Sequence, residues 1–212
     1  MISKLTPFVG INRDLSANDL PLGAITDASN VRFREGSAET FAGQTEAYPT
    51  APINPVSAFP LRIGNARYWV ALSLAKAYCV TGAPAVWTNI TRTSGGDYAA
   101  DVNTLWNGGI LNGVPILNNG IDVPQVWSPV ATATPLSALP AWPANARARV
   151  MRPYRNFMFA LDVTVTSGGA SQRFPHRVKW SHPADPGTVP VSWDSSDDTK
   201  DAGEFDLDGA GH

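Results

Sequence analysis

An all-β fold is what this sequence predicts, and three observations predict it. Glycine and proline supply 18 residues each of 212, so about one position in six interrupts a helix, and no proline-free stretch sustains a 3.6-residue apolar period. Charged residues make up only 16%, against about 25% in an ordinary soluble domain. Seven Trp, eight Phe and five Tyr supply flat, bulky side chains that pack well on pleated surfaces. The 43% hydrophobic content is enough to fill a real core in a chain of this length, so disorder is not the default.

Residues 1–47 read as a polar, irregular entry segment. Asn18-Asp19-Leu20-Pro21-Leu22-Gly23 is a turn, because Asn and Asp side chains bond nearby backbone while Pro and Gly fix the special dihedrals. Val31-Arg32-Phe33-Arg34 alternates, Glu35-Gly36 turns and Ser37 to Phe41 returns, which is a hairpin signature. Pro49, Pro52, Pro55 and Pro60 make Tyr48 to Pro60 an extended connector. The domain reading is therefore an arm with hairpin and connector over 1–60 and a strand-rich body over 61–212.

The body repeats one pattern. Ala66 to Leu72 is a strand apolar on both faces, Ser73-Leu74-Ala75 turns, Lys76 to Val80 returns, and Ala85 to Ile90 adds a third strand with a Val86-Trp87 pair. A second round runs Ile110 to Gly113, Val114 to Leu117 and Gln125-Val126-Trp127-Ser128. A third runs Asn156 to Leu161, Val163 to Val165 and Arg177-Val178-Lys179-Trp180-Ser181. Trp87, Trp127 and Trp180 mark a period of 40 and then 53 residues, the second lengthened by the Pro129 to Pro143 stretch. Short strands recurring at such a period predict a β-propeller of about three blades, an incomplete one because closure takes four to eight. An open arc would expose apolar faces of the Trp69 and Phe157 type, which need a partner. The alternative is a β-sandwich with tryptophans where strands need bulk.

Catalytic and metal chemistry have little to build on, and the expectation is a non-enzymatic protein without cofactor. There is no Gly-x-Ser-x-Gly turn, and Cys79, the single cysteine, lies in the apolar run Ala77-Tyr78-Cys79-Val80, where it reads as a small core residue. His176 and His182 stand six apart beside Pro175 and Pro183, a spacing that matches no common zinc pattern. The acidic tract from Asp194 to Asp208, tested as an EF-hand from Asp197, places Ala202 where Gly is required and Asp208 where a bidentate Glu should stand. Ser94-Gly95-Gly96 and Ser167-Gly168-Gly169 lack the Lys and Ser/Thr of a phosphate-cradling loop. The start lacks the apolar core of a secretory signal, and uncharged stretches such as Val102 to Ile121 are too rich in Asn, Gly and Pro for a membrane helix.

The net charge of −2 hides a division. Residues 1–193 carry 15 Lys/Arg and 11 Asp/Glu, whereas residues 194–212 carry one and seven. The most basic stretch holds Arg147, Arg149, Arg152, Arg155, Arg173, Arg177 and Lys179 against Asp162 alone. Such a zone can face phosphates with a salt-sensitive, sequence-independent attraction. It can equally meet an acidic patch, with the chain's own 194–208 tract an obvious candidate, or form a solvated face.

Gly10-Ile11-Asn12-Arg13-Asp14-Leu15, Asn18 to Gly23, Asp27-Ala28-Ser29-Asn30-Val31-Arg32-Phe33-Arg34-Glu35-Gly36 and Phe41-Ala42-Gly43 together resemble the start of tail nozzle proteins of short-tailed bacteriophages, also called tail tubular protein B or tail hub proteins. Arg177 to Pro186, with Trp193 and Ala202-Gly203-Glu204-Phe205, is similar to a later part of the same group. The resemblance implies a virion structural protein built round a β-propeller and assembled in the host cytoplasm into a ring, a hexamer in that family, below the portal and adaptor. It further implies tail fibres or spikes as neighbours, a central channel with non-specific contact to packaged double-stranded DNA, and no membrane insertion. Chains of that group are usually several hundred residues long, so this one is expected to form only part of the fold. From a different class, a carbohydrate-binding propeller or sandwich would need tryptophans on loops, whereas Trp69, Trp87, Trp127 and Trp180 fall inside strand patterns.

Overall fold

The structure is a computed structural model that describes residues 9–16, 18–35, 37–40, 46–103 and 105–207. It is all-β, with no helix among the described residues. Two compact units divide between Ala47 and Tyr48, so the proline-rich connector belongs with the body rather than with the arm.

The first unit contains two small pairings. β1 (Gly10–Ile11) and β2 (Ala24–Ile25) run parallel, extended by Val9 N donating to Gly23 O and Asn12 N to Ile25 O. β3 (Val31–Arg34) and β4 (Ser37–Thr40) form the hairpin expected from the alternation, with Arg32 and Glu39 paired across it at 2.9 Å.

The second unit is built from three consecutive four-stranded antiparallel sheets, each wound so that neighbours in sequence are neighbours in space. Sheet I holds β5 (Ser57–Ile63), β6 (Ala66–Leu72), β7 (Ala77–Thr81) and β8 (Thr88–Asn89). Sheet II holds β9 (Asn107–Leu111), β10 (Val114–Asn118), β11 (Gln125–Val126) and β12 (Ser137–Ala138). Sheet III holds β13 (Ala146–Tyr154), β14 (Phe157–Ser167), β15 (Ala170–Trp180) and β16 (Gly203–Asp206). Among the described residues no sheet closes on itself.

Several boundaries differ from the sequence reading, each for a physical reason. Pro60 lies within β5 rather than ending a connector, which an edge strand tolerates because its N–H side need not bond a neighbour. The third strand of the first round shrinks to Thr88–Asn89, and Trp87 precedes it, its Nε1 donating to Pro49 O at 2.6 Å. Trp127 likewise follows β11, with Nε1 on Thr134 O. The pieces 156–161 and 163–165 are one continuous strand, bent at Asp162, which takes φ +55° where the register to β15 shifts.

Sheet II is the middle layer, and β10 shows why: all five of its residues are buried, as expected of a strand covered on both faces. Val114 and Ile116 join a core with Ala148, Met151, Met158 and Ala160 of sheet III, closed by the edge-to-face pair Trp142 and Trp193, 4.6 Å between centroids. Leu117, on the opposite face, joins Val70, Leu72 and Cys79 of sheet I together with Ile90, Trp106 and Trp127. Asn107 and Asn118 bind sheet III to sheet II from buried positions, Asn107 Oδ1 accepting from Met151 N at 2.8 Å and Asn118 Nδ2 donating to Ala148 O at 2.8 Å.

Cys79 is fully buried, and burial pushes its thiol up to about 11. The folded chain should therefore resist thiol-specific reagents at neutral pH and react once unfolded in urea. Rapid labelling of the native chain would place Cys79 outside the core.

Candidate nucleic-acid and subunit interface

All seven basic residues singled out in the sequence fall on sheet III or its first turn, but they do not form one stripe. Arg147, near the start of β13, directs its guanidinium to carbonyls: Nε donates to Ile121 O at 2.8 Å and Nη1 to Ala144 O and Ala146 O. Arg149 lies 3.8 Å from Asp162. Arg173 holds Asp162 through two hydrogen bonds of 2.6 and 2.5 Å. The bulge at Asp162 thus brings the one acid of the basic stretch between two arginines. The Arg173 hydrogen bond is the main reason that this carboxyl stays ionised below the usual range, outweighing partial burial, with the charges of Arg173 and Arg149 adding to it.

Arg177 and Lys179 meet the chain's own acidic tract. The register of β15 with β16 sets Lys179 opposite Glu204 and Arg177 opposite Asp206. Lys179 Nζ donates to Glu204 at 2.9 Å from a side chain only 8% exposed, while Arg177 grips Asp206 at 2.7 and 2.8 Å and lies over the Phe174 ring. A buried ammonium needs such a partner, because unpaired it would carry its full desolvation cost. A cleft of about 360 Å³ opens beside Lys179, lined by Ser192, Trp193 and Asp194.

Arg152 and Arg155 differ from the rest. Arg152 donates to Gly108 O and Met151 O, and Arg155, at φ +52° in the β13–β14 turn, stands 5.6 Å over the Tyr154 ring. Neither has a carboxylate partner among the described residues. Arg147 shares this trait, so among the described residues three of the seven, Arg147, Arg152 and Arg155, have no acid partner.

What the sequence reading missed is a second charged centre between sheets I and II. Arg92 and Asp122 pair at 2.8 Å with side chains only 12% and 13% exposed. Arg92 also donates to the carbonyls of Gly95, Gly96 and Asp97 and lies 4.6 Å from the Tyr98 ring centroid. Burial pushes the Tyr98 hydroxyl up to about 12. Its ring meets Trp106 edge to face. Arg92 Nε and Nη2, both Asp122 oxygens, the Tyr98 hydroxyl and Trp106 Nε1 all have partners, which marks a fastening. Among the described residues no three His, Cys, Asp or Glu side chains gather to hold a metal, and no helix is long and apolar enough to cross a membrane.

The tryptophans bear on sugar recognition, since Trp106, Trp127, Trp142 and Trp193 are buried, Trp87 and Trp180 are half-buried and Trp69 is 39% exposed. No family model matches the chain, and no curated protein matches it.

Proposed function

We propose that this chain is a structural subunit of the tail of a short-tailed phage, part of a nozzle or hub ring below the portal and adaptor, with its three sheets serving as blades round a DNA channel. The observation that carries the reading is the threefold repeat of a four-stranded meander stacked face on face, which is how propeller blades are wound. The entry-segment and Arg177 to Pro186 motifs supply the family. A sandwich would instead bring two sheets together over one core, whereas sheet II lies between two cores.

In this reading the first strand of each sheet faces the channel. β9 and β13 support it by converging: a Cβ on Gly109 would come within 2.7 Å of Pro153. Arg147 and Arg149 then lie on a channel-side strand, where they would attract phosphate without reading sequence.

Two experiments test this. Electron microscopy of particles carrying a tagged chain should show the tag in a ring at the tail, and a chain that stays monomeric and never enters the particle would overturn the reading. Replacing Arg147 and Arg149 by Glu should alter genome retention or ejection, with an effect that shrinks as salt rises. Unchanged ejection at low salt would remove these two residues from the channel.

A further inference from the structure

The outward face of sheet III is apolar and aromatic; among the described residues it is half-buried at Phe157, Phe159 and Trp180 and open at Tyr154, Leu161 and Phe205. Tyr154 and Phe157 oppose each other across β13 and β14, Phe159 opposes Trp180, and Leu161 and Phe205 both flank Val178. Their chain neighbours Met158 and Ala160 face the core instead. Tyr154 is 62% and Phe205 57% exposed. A contiguous face of Tyr, Phe, Trp and Leu with arginines at its edge has the composition of a protein interface core. Duplex DNA gives such rings nothing to bury against, since its outside is phosphate and sugar.

Charge identifies the occupant. Arg152 lies opposite Phe159, and Arg155 tops the turn beside Tyr154, both without a carboxylate partner. The same unit carries the complement: the loop from Pro183 to Asp201 holds Asp185, Asp194, Asp197, Asp198 and Asp201. None of these pairs with a Lys or Arg among the described residues; Asp194 and Asp197 each spend only Oδ1, on Ser196 and Thr199, and Asp201 lies 3.7 Å from His182. This loop also offers apolar surface, with Val191 65% exposed and Pro186 open to solvent. The outward face of sheet I does not fit, because Arg62 and Arg67 oppose each other there and would meet Arg152 and Arg155 as like charges.

We infer that the outward face of sheet III seats the acidic 183–201 loop of a second copy of this chain, Arg152 and Arg155 of one copy meeting Asp197 and Asp198 of the next. The inference deepens the ring reading by naming the contact that joins subunits, and it rests on that reading only for the number of copies. Loop and face lie at the same end of sheet III, where Ala184 N donates to Asn156 O. A head-to-tail use of the contact extends a ring, and a reciprocal use closes a pair.

Sedimentation of the full chain over a range of concentration and salt tests it. The expected result is self-association that weakens as salt rises. R152E/R155E and D197R/D198R should each associate at least about tenfold more weakly, while an equimolar mixture of the two variants recovers wild-type association, since each reversed surface then meets its complement. Near-UV circular dichroism of each variant checks its fold, and Phe205→Asp provides a second way to break the face should a reversal misfold. A wild-type chain that remains monomeric at millimolar concentration, reversals without effect, or a mixture that fails to recover would each overturn the inference. So would duplex DNA binding that needs Arg152 and Arg155 while D197R/D198R leaves association intact. A two-copy pair that recovers on mixing but grows no further upholds the contact and counts against the ring; a ring insensitive to both reversals does the opposite.

Discussion

Replacing Asp122 by alanine is expected to destabilise the body by about 3 kcal/mol, the low end of the cost of breaking a buried ion pair. Its partner Arg92 keeps three backbone carbonyls and the Tyr98 ring face, so the stranded guanidinium is partly compensated. Asp122 also accepts from Ala99 N and Asn119 Nδ2, and those donors lose their acceptor. Asp97→Ala is the control. Its pair with Lys76 is about half exposed and should be worth at most about 1 kcal/mol. The acid limb of stability has a definite sign. Burial of Asp122 alone would raise its pKa, but the hydrogen bonds from Ala99, Asn119 and Arg92 and the charge of Arg92 outweigh it and the net shift is downward. A depressed carboxyl contributes stability that is complete above the unfolded value, about 3.9, and is lost as pH falls through the lower folded value. Urea unfolding across that window should show wild type losing more stability than Asp122→Asn. Equal losses for Asp122→Ala and Asp97→Ala would show that the pair does not fasten sheet I to sheet II.

The strands legible in the sequence are those whose burial shows in local composition. β6 and β7 read as strands because Tyr68 to Leu72 and Ala77 to Val80 are continuously apolar, and β10 because Val114 to Leu117 must satisfy two cores at once. β5 was hidden by Pro60 and by its neighbours Pro52 and Pro55, whose cost vanishes only if the strand is known to lie at an edge. β13 was hidden for the opposite reason. Its inward residues over the first half are Ala146 and Ala148, too small to announce a core face, and Met151 follows them singly, so its arginines dominated the reading. β8 and β12, two residues each, carry no periodicity at all.

The basic zone was visible as composition but not as geometry. That Arg173 answers Asp162 depends on a bulge, and that Lys179 answers Glu204 depends on a register across a connection of more than twenty residues. Neither has a local signature. The outward aromatic face was legible in part, since an open arc must end on apolar surface, and Phe157 belongs to it. Tyr154 and Phe205 could be added only once the cross-strand pairs were known.

Gly108→Ala should be the most damaging single change in the body, costing about 4 kcal/mol or more. Gly108 sits in β9 at φ +128°, a backbone region that L side chains rarely enter, and a Cβ built there would collide with the carbonyl oxygen of Ile116 on the adjoining strand. That oxygen belongs to backbone buried between two cores, so it cannot swing aside as a flexible side chain would. The neighbouring Gly109 has no more room, facing Pro153 of β13, and the Gly108 carbonyl accepts from Arg152. Relief by moving β9 would therefore part it from β10 on one side and β13 on the other, loosening the sheet II to sheet III core and the edge of the aromatic face together. Gly64→Ala separates backbone strain from collision. It has φ +58° in the β5–β6 turn with nothing within 4 Å of the added carbon, so about 1 kcal/mol is expected. Urea midpoints for the two variants should differ by several-fold in free energy. If Gly108→Ala falls within 1 kcal/mol of Gly64→Ala by such a comparison, the close approach of β9 to β10 is not what sets the spacing of these layers.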